Sequence, residues 1–102
     1  MRQDLIEILA RKKMELAADG FVVLGVYGSF VNDRETHETD MDVLFSVTED
    51  FTERYRGFRF FQRIAFIKNE LEEALLVRVD LCDREAVLEL HRDYILGGVM
   101  NV

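Results

Sequence analysis

The chain has 102 residues, a net charge of −7 and 49% apolar residues. That length suits one domain with a modest core, and the acidic balance argues against gripping nucleic acid by its phosphates, which needs a surplus of Lys and Arg. No apolar run approaches the ~18 residues that would span a bilayer. The start, Met1-Arg2-Gln3-Asp4-Leu5, lacks a signal peptide's apolar core. A single cysteine, Cys82, excludes an internal disulfide and fits a cytoplasmic location.

Residues 3 to 18 read as an amphipathic helix, with Leu5, Ile8, Leu9 and Leu16 at helical spacing. Asp19-Gly20 is its stop signal, Gly20 being free to take a left-handed conformation. Phe21 to Tyr27 is almost unbroken in its apolarity and suits a central strand buried on both faces. Gly28-Ser29 turns the chain, with one helical turn possible after Ser29. Residues 32 to 39 are polar throughout and read as an exposed loop.

Met41 to Val47 is the second strand. Phe51 to Arg56 is a mixed aromatic and charged connection that gives no clear period. From Phe58 a longer helix is expected, because Phe60, Ile64, Ile67, Leu71 and Leu75 follow a 3.6-residue period. Lys68 to Glu73 supplies its solvated face, and the aromatics Phe51, Tyr55, Phe58, Phe60 and Phe61 are assigned to the core. An excess of aromatics over core needs would mark a partner surface.

Val77 to Cys82 alternates and reads as a third strand. Asp83 is placed as N-cap of a last helix from Arg84 to Leu96. Val99 to Val102 is an edge-strand candidate. The expected fold is α+β, or α/β: a small mixed sheet with helices packed on it.

The chemistry-bearing residues lie on these elements. Asp40 and Asp42 are two apart at the entry of the second strand, so they project to the same side. Asp80, on the third strand, lies on the face opposite Val77, Val79 and Leu81. If the two strands are neighbours, three carboxylates converge and repel unless a proton or cation intervenes. Oxygen ligands of this kind select Mg²⁺ or Mn²⁺. Glycine at Gly28 lets the backbone approach a ligand, and the N–H groups there, with the Ser29 hydroxyl, suit phosphate oxygens. A phosphate cradle beside a metal-binding carboxylate set is the equipment of phosphoryl or nucleotidyl transfer. Taken singly, each part has a plainer reading: a common turn, a solvated loop end, an Asp80 paired with Arg78. Together, and in this order, they favour a site. His37, His91 and Cys82 are weaker candidates.

Gly28-Ser29, the ten residues from Phe30 to Thr39, Asp40-Met41-Asp42, and Asp80 on a later strand resemble the minimal nucleotidyltransferases of the polymerase-beta superfamily. These MNT proteins are often paired with HEPN proteins. The resemblance covers nearly the whole chain as one domain, residues 1 to 102. It implies Mg²⁺-dependent (or Mn²⁺-dependent) transfer of a nucleoside monophosphate from an NTP, usually ATP, to a hydroxyl, with release of pyrophosphate. By the same resemblance Asp40, Asp42 and Asp80 would bind the metals, Asp80 also helping to activate the acceptor hydroxyl. Gly28 and Ser29 would hold the β- and γ-phosphates. The acceptor it implies is a hydroxyl on a HEPN-type partner, with the chain as antitoxin of a toxin–antitoxin pair.

After Gly-Ser-Phe this family commonly has Ala-Arg-Gly, where this chain has Val31-Asn32-Asp33. Arg34, planar and always charged, could serve the phosphates in its place; the plainer reading is an exposed loop arginine. Thr39 stands where Ser usually precedes the first aspartate. The departures leave a second expectation open: a weakened, MNT-like binding module that neutralises its partner by contact. Nucleic acid and membranes are not expected partners, and a homo-oligomer is possible.

Overall fold

The computed structural model describes residues 2–31, 40–89 and 98–102. The elements in chain order are α1 (Gln3–Ala17), β1 (Phe21–Tyr27), a 3-10 turn (Gly28–Phe30), β2 (Met41–Val47), α2 (Glu49–Arg54), α3 (Phe58–Leu75), β3 (Val79–Asp83), α4 (Arg84–Glu89) and β4 (Met100–Asn101). This is the expected α+β arrangement. The four strands form one mixed sheet in the order β3-β2-β1-β4. β1 pairs antiparallel with both β2 and β4, while β2 and β3 are parallel. A parallel pair needs a long crossover, and α2 and α3 supply it.

Helices α1 and α3 cover one face of the sheet. Leu5, Leu9 and Leu16 of α1 and Ile67, Leu71 and Leu75 of α3 are buried in one cluster with Phe21, Val23, Val26, Met41, Val43, Phe45 and Val79 of the strands. Burying each such side chain is worth roughly 1.5–3 kcal/mol against leaving it in water. The opposite face has a smaller apolar patch, Leu44 and Val87 with Leu24, Tyr27, Cys82 and Val99 packed against them. β1 is therefore central by its pairing, but its two faces differ: one is deeply buried and the other only partly covered.

One irregularity decides which β1 residues face which way. The β1–β2 register shifts between Val23 and Gly25. Phe21 and Val23 point into the main core before the shift, and Val26 does so after it. A bulge adds one residue and so reverses the alternation beyond it. Tyr27 thereby reaches the open face. Gly25 is required at this place for a second reason: an added Cβ would overlap the Met100 carbonyl oxygen of β4.

The aromatic connection is a helix. Thr48 caps α2, accepting a hydrogen bond from the Phe51 N–H at 3.3 Å, and Glu49 and Asp50 occupy the first turn, where acidic groups favour a helix N-terminus. Phe51 is buried against Phe21, Tyr55 and Phe60. Phe58 and Phe61, assigned to the core from sequence, are instead 87% and 71% exposed. Their helix turns Phe60, Ile64 and Ile67 inward, and these two positions fall off that stripe.

The turn after α1 is pinned by charge. Asp19 takes hydrogen bonds from Arg54 at 2.6 Å, from the Tyr55 hydroxyl at 2.9 Å and from Arg63 Nε at 3.0 Å. One carboxylate thus ties the α1–β1 turn to α2 and α3. Gly20 follows it at φ +90°, as the stop signal requires. Asp83 ends β3 and accepts from the Glu85 N–H at 2.9 Å, as the first-turn partner of α4. The expected helix beyond Glu89, His91 within it, and the loop from 32 to 39 with His37 lie outside the described residues. Among the described residues no helix is long and apolar enough to cross a membrane.

Candidate active site

Strand register brings two of the three aspartates side by side. Asp42 of β2 is the direct partner of Asp80 on parallel β3 and of Tyr27 on antiparallel β1. The row Tyr27–Asp42–Asp80 therefore runs across three strands on the open face. Adjacent strands lie about 4.8 Å apart, so these side chains are immediate neighbours. Asp42 is half-buried and Asp80 exposed.

The electrostatics of Asp42 follow from that placement. Burial pushes its carboxyl above the ordinary aspartate value, and the charges of Asp80 and Asp40 push it the same way. Taking a carboxylate partly out of water beside two others disfavours ionisation. Tyr27 shows the same field: burial, a hydrogen bond with Cys82, and the charges of Cys82, Asp42 and Asp80 push its phenol far up. Tyr27 stays protonated, a neutral wall beside the carboxylates.

Gly28 closes the other side. Its φ is +81°, and an added Cβ would stand 2.6 Å from Asp42 Oδ2. The Asp42 carboxylate thus lies almost against the backbone of the turn, a closeness only glycine permits. The Val31 N–H bonds the Gly28 carbonyl at 3.1 Å and closes the turn. That turn starts at Gly28, one residue before the expected position. Ser29 is its middle residue, and the Ser29 side chain and Arg34 fall outside what is described.

Asp40 stands just before β2 and is exposed. Its Oδ1 pairs with Arg78 Nε at 3.0 Å, and the Met41 N–H bonds the Arg78 carbonyl at 2.7 Å. Arg78 thus partners Asp40. Among the described residues, no three His, Cys, Asp or Glu side chains already stand together as a metal-ligand set. What the structure does show is a pair of adjoining carboxylates with a third close enough for Asp42 to feel its charge. All-oxygen donors with concentrated negative charge fit a hard divalent cation, and Asp42, Asp80 and Asp40 are the residues that would hold it.

Tyr27 was not among the site candidates from sequence. Gly25 inside a strand was the available signal, since glycine there often marks a bulge. Counting through the bulge moves Tyr27 onto the aspartate face.

Comparison with known proteins identifies the family and the fold. A family model, "Nucleotidyltransferase domain", matches residues 6–98. A solved structure described as "putative minimal nucleotidyltransferase" is similar over 99% of this chain and 98% of its own, with 25% identity and a TM-score of 0.68. No curated protein matches. The chain belongs to the nucleotidyltransferase domain family, and nucleotidyl transfer is its general class of activity.

Proposed function

We propose that this protein transfers AMP from ATP to a hydroxyl on a partner protein, with Mg²⁺ or Mn²⁺, as the antitoxin of a HEPN-type toxin. The observation that carries the transfer is the Asp42–Asp80 pair beside Gly28. In the step, the acceptor oxygen bonds to the α-phosphorus, the bond from that phosphorus to pyrophosphate breaks, and the acceptor proton leaves. Asp80, exposed at the end of the row, takes the proton from the incoming hydroxyl in this reading. Asp42 and Asp40 would hold the ion together with Asp80, Asp40 then giving up its Arg78 partner. The Gly28 backbone, Ser29 and Arg34 are the expected phosphate contacts. A divalent cation there would screen the phosphate charge and line up acceptor and leaving group.

The test is incubation with α-labelled ATP, Mg²⁺ and the product of the neighbouring gene. Label on the partner, lost with Asp42→Asn, supports the proposal. A complex that forms without any label transfer refutes it.

The Asp40–Arg78 ion pair motivates a second reading, neutralisation by contact alone. Under that reading Asp42→Asn still protects cells from the partner. Under the first it does not.

A further inference from the structure

The outward face of α3 has three features that bear on how it could pair, although Arg63 and Glu72 also have partners within the chain, in Asp19 and the Val79 N–H. First, it exposes large apolar side chains: Phe58 is 87% exposed, Phe66 50% and Leu76 87%. Second, Leu76 closes the helix in the left-handed conformation, at φ 57°. That position favours glycine, and a side chain there is strained. Third, the charges of α3 run against its dipole. Arg59 lies in the first turn and Arg63 in the second, while Glu72 and Glu73 lie in the last; the first turn has no acidic residue and the last no basic one. Basic groups near a helix N-terminus and acidic groups near its C-terminus are both unfavourable.

We propose that two copies of this chain pair through α3, antiparallel, about a two-fold axis near Phe66. Phe58, Gln62, Phe66, Asn69, Glu73 and Leu76 are all exposed and are spaced by three or four residues, the pattern of a helix-pairing seam. Antiparallel pairing centred there sets Phe58 against Leu76 of the partner subunit. It sets Arg59 against Glu73 of the partner subunit, and the axis repeats each contact. Among the described residues neither Arg59 nor Glu73 forms an ion pair within the chain. The reversed charge pattern becomes favourable in this arrangement, because each basic helix start faces an acidic helix end. Phe66, with the Arg63 guanidinium 4.9 Å from its ring centre, sits at the axis.

The seam faces away from the sheet, since α3 turns Ile67, Leu71 and Leu75 toward it. The aspartate row lies on the sheet's other face, so pairing leaves both sites open. A helix of 18 residues is about 27 Å long. Two such helices bury an area near the low end for specific interfaces, which gives a reversible dimer.

Sedimentation equilibrium over roughly 1–200 µM tests this. The wild-type chain shifts from monomer to dimer across that range. Phe66→Asp stays monomeric with an unchanged circular dichroism spectrum, because the site is exposed. Arg59→Glu and Glu73→Arg each weaken the dimer by about tenfold, since two charge pairs become repulsive. The double variant Arg59→Glu/Glu73→Arg recovers the wild-type constant. A monomer at every concentration overturns the proposal. So does a dimer unaffected by Phe66→Asp, or a double variant no better than the singles.

Discussion

Two aspartates in this molecule, Asp19 and Asp42, have opposite surroundings. Burial raises the Asp19 carboxyl, but the bonds from Tyr55, Arg54 and Arg63 outweigh burial and hold it below its ordinary value. At Asp42, burial and the charges of Asp80 and Asp40 all push upward. The first carboxylate is satisfied by the fold and joins three elements. The second is crowded with its own kind, at a cost to the fold. The fold satisfies Asp19; at Asp42 a proton or a cation would relieve the crowding.

The largest expected contrast is in catalysis. Asp42→Asn and Asp80→Asn each lower nucleotidyl transfer at least ~100-fold, the scale of losing a preorganised charge-stabilising group. Thermal unfolding of the same variants without metal shows a melting temperature equal to or above that of wild type, because charge repulsion has been relieved. Steady-state assays and melting curves on one preparation check both halves.

Next in size is Asp19→Ala, which leaves transfer per folded molecule unchanged but costs about 2 kcal/mol, or roughly 10 °C in melting temperature. The pH dependence has a definite sign. Asp19 is depressed in the fold, so its stabilisation is present above its unfolded value of about 3.9 and disappears as pH falls through the folded value. Asp19→Asn therefore flattens the acid limb of the stability curve. Asp42 is raised, so its ionisation opposes folding and its repulsion is relieved as pH falls. Asp42→Asn thus gains on wild type toward neutral pH, as melting curves from about pH 4 to pH 7 would record.

Gly28→Ala is smaller for stability, about 1–2 kcal/mol for a side chain at positive φ. It has a second effect, because its Cβ displaces the Asp42 carboxylate. Transfer therefore falls further than stability does, as a ratio of activity to folded fraction shows. Arg78→Ala is the smallest. Its bond to Asp40 joins side chains that are 63% and 48% exposed, and such pairs contribute about 0–1 kcal/mol. A melting-temperature change of only a few degrees is expected.

Most of the fold was legible because long periodic segments carry their own signal. α1, β2 and α3 follow from the spacing of Leu5 and Leu9, from the run Met41–Val47, and from Ile64, Ile67 and Leu71. α2 was not, since six residues with one buried side chain, Phe51, show no period. Its Thr48 cap was the readable sign. Alternation told which face Asp80 takes, but not that it stands level with Asp42. Register depends on how β2 and β3 dock through α3, a tertiary matter. The bulge at Leu24–Gly25 moved Tyr27 to the site for the same reason. Phe58 and Phe61 show the opposite error: hydrophobicity alone does not say that a side chain is inside.

The contrast between Asp19 and Asp42 rests on the aspartate row being a cation site, and direct Mn²⁺ titration by calorimetry measures that. The wild-type chain is expected to bind Mn²⁺, with Asp42→Asn and Asp80→Asn each weakening it at least ~10-fold and Asp19→Asn leaving it unchanged. Binding that is equal in all four proteins, or absent from the wild type, would contradict the account.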